Sequence, residues 1–451
     1  MRSKQGGGWQ GRGRNAGGRR DEERPRGRFR DRQGPSSPRR ETPRDAAPRP
    51  QKAAEAPLGA RLIGVEELEV RIEKLVAGGE GLARVSAVPV FVPRSAPGDL
   101  LRVRIVERRP DYGRAEILEI LEPGPGRRPD PVPELSGSGV CDLQHLDDRV
   151  QPILKAEAVR ETLQRLGHVA VPGGSPLMTG EPWGYRLRTQ LHTEIDPAGG
   201  GVRVGYYARG TNDLVIPVSR CPLLVPELEE LLVALPQHLG AKAPQRLDLA
   251  AGDGRAVTVS PLVPGLPHGE VSTQVGEITY AYDARCFFQS HRGLLPRLVE
   301  TTVGSWEGEL AVDLYAGVGL FSLPLARRYR QVIAVEADQI GARYARLNVK
   351  RNHLPGVEVV NQSVETWLRR LPADVDRLVL DPPRSGLTPR ARDVLMARQP
   401  ARLTYVSCHA AALARDLRHL QEGYDVESVA FIDLFPQTGH MEVVVQMRRR
   451  S

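Results

Sequence analysis

Between Leu68 and Leu121 apolar and polar positions alternate in short segments, LEVRIEKLV, GLARV, PVFVPRS, DLLRVRIVERR and RAEILEIL, each punctuated by glycine or proline. Alternation with a period of two gives each segment one face for a core and one for water. Five short strands joined by tight turns are predicted, closing into a small β-barrel of the oligonucleotide-binding kind over residues 65–122. Such barrels bind RNA on one face, although a purely structural role fits the same pattern.

Residues 146–285 are less regular. A helical stretch, Arg149 to Leu166, precedes the strand-like runs YRLRTQLHTEI, VRVGYYA, LVIPVS and AVTVSPLV, which a second helical stretch, PELEELLVALPQHL, interrupts. The pattern predicts a mixed, mainly β insertion for RNA binding and leaves its fold open. Tyr185, Arg186, Arg188 and Gln190 share one strand and could face a substrate; a solvated strand face is the commoner meaning of such residues.

From about Arg292 helices alternate with apolar runs, among them LAVDLYAG, QVIAVEA, VEVVN, DRLVLDPPR and RLTYVSC. Apolar strands that alternate with helices of about ten residues predict a parallel, doubly wound α/β sheet, Rossmann-like, over residues 286–451. The closing segments VESVAFIDLF and HMEVVVQM are expected to pair as a hairpin at the sheet edge.

Composition modifies this picture at the N-terminus. The chain of 451 residues carries a formal charge of +8, but residues 1–57 hold 16 of its 63 Lys+Arg and 7 of its 55 Asp+Glu, net +9, which leaves the remainder at net −1. A Gly-, Arg- and Pro-rich stretch with almost no aliphatic residues cannot form a core, so a disordered tail is expected over residues 1–58. Arginines interspersed with Trp9 and Phe29 suit contacts to phosphates and base faces, with a solubilising linker as the plainer alternative. No apolar run approaches the ~20 residues that span a bilayer, so a cytoplasmic protein without a membrane partner is expected, and a monomer. The four cysteines, Cys141, Cys221, Cys286 and Cys408, form no CxxC pair and no zinc-ligand spacing; reduced thiols and no metal site are predicted.

Candidate chemistry gathers in the last third. VDLYAGVGLFS sets Asp313 at the end of one predicted strand and Gly317 and Gly319 in the turn after it, and Glu336 ends the next strand. Glycines there let backbone N–H groups approach a ligand, and an acid some twenty residues on can bind ribose hydroxyls. Ser322 stands where a dinucleotide fingerprint needs its third glycine, which favours S-adenosylmethionine, a ligand without phosphate. LVLDPPRSG places Asp381 at the end of the fourth strand, facing the same crevice. Cys408, in YVSCHAAALARDL, ends the fifth, and the helix N-terminus after it is expected to favour a thiolate.

Taken together, CFFQSH, DLYAGVGLFSLPLA, DPPRSG, YVSCHAAALARDL and FPQTGHME resemble the bacterial RNA 5-methyluridine methyltransferases that act on transfer and ribosomal RNA. The β segment at the front is similar to the TRAM domain of the ribosomal RNA members, so the resemblance covers essentially residues 65–447. It implies a class I methyltransferase domain and methylation of carbon 5 of a uridine in structured RNA, most of all 23S rRNA, with tRNA the other candidate. Cys408 would attack carbon 6 of uracil as nucleophile, and Glu442 would be the base that finishes the reaction. The resemblance further implies contacts to S-adenosylmethionine from Gln289, Tyr315, Glu336 and Asp381, with Gly317 and Gly319 shaping the turn; Phe287 and Phe288 read as core.

Three departures from the family pattern stand out. Members with an iron–sulfur cluster use four cysteines, whereas Val132 and Ser138 occupy two of those positions here and only Cys141 and Cys221 remain, so no cluster is predicted. His409 follows the nucleophile where asparagine is usual, and Leu320 replaces an asparagine in the glycine turn. Two other function classes fit the same architecture: an RNA-binding or RNA-folding protein without turnover, and an RNA cytosine-C5 methyltransferase, which also needs a cysteine that attacks carbon 6.

Overall fold

A computed structural model describes Gly64 and residues 66–195, 201–240 and 242–450; the N-terminal tail lies outside the described residues. Six strands rather than five follow Gly64: β1 (Glu67–Arg71), β2 (Lys74–Leu75), β3 (Gly81–Val85), β4 (Val88–Val92), β5 (Leu100–Arg108) and β6 (Gly113–Glu122). The segment LEVRIEKLV divides because Ile72 leaves the β1 ladder to exchange backbone bonds with the Gly98–Asp99 turn. The sheet order is β1-β5-β6-β4-β3-β2, so two residues of chain join its opposite edges and the sheet must curl into a barrel. Val70, Ile72, Val88, Val90, Val92, Leu101, Val103 and Ile105 fill it, one from every second position, as the alternation predicts. Outside, Arg102 pairs with Glu69 and Glu119, and Arg104 with Glu67 and Glu116, which neutralises that face.

An eight-stranded sheet forms the second half of the chain. Its strands are β15 (Gly308–Leu314), β16 (Tyr329–Glu336), β17 (Val357–Asn361), β18 (Arg377–Leu380), β19 (Arg402–Ser407), β20 (Tyr424–Ile432), β21 (Glu442–Arg449) and the short β7 (Leu177–Met178). The order is β17-β16-β15-β18-β19-β21-β20-β7, with β15 to β19 parallel and β21 antiparallel between β19 and β20. The strand order reverses between β15 and β18, which opens the ligand crevice of a doubly wound sheet beyond their carboxyl ends. Val312, Leu314, Leu378, Val379, Leu380, Leu403, Tyr405 and Val406 are fully buried, because helices cover both faces.

The middle of the chain is shared out. β8 (Arg188–Ile195), β9 (Val202–Tyr207), β10 (Val215–Pro217), β11 (Arg246–Ala251) and β12 (Val257–Ser260) form an antiparallel sheet of their own, packed by helix α2 (Pro226–His238). Helix α1 (Gln151–Gly167) instead sets Ala156, Val159 and Leu163 against Ala410, Leu413, Ala414 and Leu417 of helix α8 (Ala410–Leu420), on the flank of the large sheet. β7, also in this region, pairs with β20, so the predicted terminal hairpin lies inside the sheet boundary it was expected to form. The hairpin β13 (Val271–Val275) and β14 (Ile278–Tyr282) is fastened to helix α5 (Gln339–Arg351): Asn348 bonds both backbone groups of Ala281 and the carbonyl of Val318 in the glycine turn.

Candidate active site

After β15 the chain turns through Tyr315, Gly317 and Gly319, with φ of 64°, 55° and 94°. The left-handed region suits the two glycines, and Tyr315 accepts it at a cost. Glu336 closes the turn from the end of β16: its carboxylate accepts from the Gly317 N–H at 2.7 Å and the Asp338 N–H at 2.6 Å. The Tyr280 hydroxyl donates to the Leu320 carbonyl, so the turn is held at its back by a buried, apolar Leu320 side chain and this side-chain bond to its backbone.

Asp381 leaves β18 alongside Tyr315, since Leu314 and Leu380 are paired in register. Gln289 donates to Asp381 Oδ2 at 3.4 Å and is itself 4% exposed. Burial first, and the charge of Asp313 second, push the Asp381 carboxyl up. Asp313 is fully buried behind the turn with the Ser322 hydroxyl on one oxygen, and burial raises it to about 7. The DPPR loop is tied down beyond this point by the buried Asp416, which accepts from the Leu387 N–H, the Tyr405 hydroxyl and Arg392.

Cys408 and Glu442 come together across neighbouring strands. Ser407 of β19 pairs with Val443 of β21, and one more antiparallel step sets Cys408 opposite Glu442. Glu442 is 2% exposed, and burial and then the Asp381 charge hold its carboxyl well above the usual range. The half-buried Cys408 thiol is pushed up to about 11, by burial first and by Glu442 second, while the Arg384 guanidinium within hydrogen-bonding reach opposes the shift. The helix N-terminus that follows therefore does not make a ready thiolate: desolvation and an adjacent carboxylate outweigh a partial charge.

His409, immediately after the cysteine, is the N-cap of α8, its Nδ1 accepting from the Ala412 N–H at 3.2 Å. An asparagine side chain performs the same task, which accounts for the exchange.

Four residues of the site are not read correctly from sequence. Arg384 of the DPPR loop donates to His440 Nε2 while facing Cys408. His440, driven down to about 3 by burial and then by Arg384, stays neutral and can accept that bond. Gln362, past the end of β17, donates its N–H to the Glu336 carbonyl and leaves a buried side-chain oxygen without a partner. Phe288 is core, stacked on Tyr282 with centroids 4.3 Å apart, but Phe287 is 61% exposed beside Gln289, contrary to its reading as core. A register step is visible in sequence only once the strands are paired, and FF alone does not say which ring is outside.

Further from the crevice, Tyr185 is buried on His291 and donates to the Pro436 carbonyl, and Arg188 and Gln190 share Asp248. Cys141, Cys221 and Val132 lie in one apolar core, and the Ser138 hydroxyl donates to Leu135; two thiols, a hydroxyl and a valine are not a four-thiolate donor set. Among the described residues no cluster of three or more His, Cys, Asp or Glu is placed to hold a metal ion, and no helix is long and apolar enough to cross a membrane.

The crevice has acceptors to spare for a bound group with several hydrogen-bond donors. Asp313, Gln289 and Gln362 each leave a buried oxygen unpartnered around the glycine turn, and Glu336 offers its carboxylate where ribose hydroxyls would lie.

The family described as tRNA (uracil-5-)-methyltransferase matches residues 269–450, and the TRAM domain matches residues 64–118. A protein of Thermosynechococcus vestitus called an uncharacterized RNA methyltransferase is 31% identical over 439 residues, 84% of this chain and 97% of that one. The 23S rRNA (uracil(1939)-C(5))-methyltransferase RlmD of an Azoarcus species is 30% identical over 431 residues, 84% of this chain and 99% of its own. In fold the chain is similar to the tRNA (uracil-54, C5)-methyltransferase of Pyrococcus abyssi, solved with S-adenosyl-L-homocysteine: TM-score 0.66, 24% identity, 84% of this chain and 100% of that one.

Proposed function

The chain belongs to the RNA (uracil-5-)-methyltransferase family, and from that premise we propose that it methylates carbon 5 of one uridine in 23S ribosomal RNA, with S-adenosylmethionine as donor and Cys408 as covalent nucleophile. The observation that carries the mechanism is Cys408 opposite Glu442, at the crevice that the glycine turn and Asp381 line. Relatives matched over 94% and 99% of their own length and named for the 23S rRNA reaction support the ribosomal substrate over tRNA.

Gln289, Tyr315, Glu336, Gln362 and Asp381 would hold S-adenosylmethionine, with Gly317 and Gly319 letting the backbone approach it. Bound there, the group supplies an electrophilic methyl on a sulfonium. Carbon 5 of uracil is too poor a nucleophile to take it unaided. Cys408 gives up its proton to bulk water, Arg384 stabilising the thiolate, and its sulfur bonds to carbon 6, so that the C5=C6 electron pair moves into an enolate and carbon 5 becomes nucleophilic. Once carbon 5 is methylated it carries both methyl and hydrogen. Glu442 then takes that proton, the C5=C6 bond reforms, and the C6–S bond breaks to release the thiolate. A carboxyl held above its usual range suits a base that must pick up a weakly acidic carbon-bound proton.

Two substitutions separate the roles. Cys408→Ala is expected to abolish methyl transfer and any covalent complex with 5-fluorouridine RNA, and Glu442→Gln to keep adduct formation while losing turnover. Retained methylation by Cys408→Ala, or 5-methylcytidine as the sole product in nucleoside mass analysis, would overturn the reading.

A further inference from the structure

The segment that leads into the base, Phe435 to Met441, lies in a loop between β20 and β21, and most of what shapes it comes from the N-terminal third of the chain. Leu143 donates its N–H to the Gln437 carbonyl at 2.9 Å, and Gln151 and Gln437 bond reciprocally, at 2.9 Å to the Gln437 N–H and 2.8 Å between side chains. The barrel goes further and touches the loop backbone to backbone. The turn between β2 and β3 carries Gly78 and Gly79 at φ of 103° and 90°. A Cβ on Gly79 would lie 2.8 Å from Gly439 Cα, and one on Gly439 would overlap the Gly78 carbonyl and sit 2.7 Å from the Gly79 nitrogen. Neither side has room for a methyl group. Gly439 is followed by His440, which meets Arg384, and two residues later by Glu442.

We propose that this barrel turn is a positioning element for the base of the reaction: Gly79, through Gly439, fixes where His440 and Glu442 stand. The barrel thus acts on the chemistry itself as well as on RNA affinity, and RNA that shifts the barrel shifts the base. The inference rests on the assignment of Cys408 and Glu442 made above.

The test compares Gly79→Ala, Gly439→Ala and Gly78→Ala in the full chain. Gly78→Ala bears the same positive-φ cost as Gly79→Ala, but nothing lies within 4 Å of its added carbon. A misplaced base costs roughly ten- to a hundredfold in kcat. That loss is expected in Gly79→Ala and Gly439→Ala, with KM for RNA within about twofold of the parent. The Cys408 adduct should also accumulate on ordinary RNA, because its breakdown is the step that needs Glu442. Gly78→Ala should turn over like the parent. Where Gly79→Ala lowers the melting temperature, Gly439→Ala, which has no positive φ, decides.

Parent-like kcat in both Gly79→Ala and Gly439→Ala, an equal loss in Gly78→Ala, or a change confined to KM would overturn the proposal. Cys408→Ala measured alongside separates the two levels: if it still methylates, the underlying mechanism has failed, and the junction is then judged on kcat alone.

Discussion

The residue proposed as nucleophile is a thiol in an unhelpful setting. Burial and the Glu442 carboxylate both disfavour the Cys408 thiolate, and Arg384 alone among the named charges acts the other way. In the free protein the thiol is therefore protonated at neutral pH, and its reactivity rises with pH toward about 11. Because the carboxylate is the second cause and burial the first, Glu442→Gln should move the midpoint of Cys408 alkylation down from that value yet leave it above that of an exposed thiol. Arg384→Ala should move it up. The measurement is the rate of iodoacetamide labelling against pH, which Cys408 should dominate because Cys141, Cys221 and Cys286 are buried. A midpoint unmoved in Glu442→Gln would mean that the two groups do not feel each other. The same local geometry explains what sequence alone left open about His409, whose side chain caps α8 and leaves the thiol to Arg384 and Glu442.

Elements were legible where burial is two-sided or strictly alternating. β15, β16, β18 and β19 carry short apolar stretches, LAV, VIAV, LVL and YV, because helices cover both faces, and the barrel strands alternate because one face is wet. The candidate site followed from the same reading, since residues that end successive parallel strands must share a crevice. What periodicity does not carry is the partner of a buried face. The pattern of α1 fixed the helix to within about two residues, yet nothing in it says that Ala156 and Leu163 meet α8. Lys155 lies on that same face as a buried cation, paired with Asp433 at 2.6 Å and donating to the Phe435 carbonyl at 3.0 Å. Such a pair is costly to break from one side. Lys155→Met should destabilise the protein by about 3–5 kcal/mol because it strands a buried Asp433, and Lys155→Met with Asp433→Leu should regain most of that loss. Denaturant unfolding of the two variants checks this; equal stability in the single and double variants would show that the lysine acts through packing.

At the scale of the whole molecule the distribution of charge sets what can bind RNA in a salt-dependent way. Outside residues 1–57 the chain is net −1, and among the described residues many arginines are ion-paired, Arg71, Arg102, Arg104 and Arg285 among them. A groove of about 1110 Å³ beside the barrel is lined by Arg94, Arg114, Arg127, Arg128 and Arg209, but each meets a carboxylate of the fold: Asp130, Glu80, Asp99, Asp148 and Asp142 in that order. Guanidinium groups already paired release fewer counterions when a phosphate arrives. The 16 Lys+Arg of residues 1–57, spread among 7 acidic residues, are a separate concentration of positive charge, net +9, and we propose that they contact RNA. Deleting residues 1–57 should weaken RNA binding and lower the slope of log affinity against log salt by roughly 0.7 for each phosphate of single-stranded RNA that the tail neutralises. The rate of methyl transfer at saturating RNA should not change, since every residue placed around Cys408 lies in the body. Filter binding across a salt series, with single-turnover methylation at saturation, measures both quantities. An unchanged slope would make the tail a spacer and return the affinity to the barrel groove, whose ion pairs would then have to open when RNA binds.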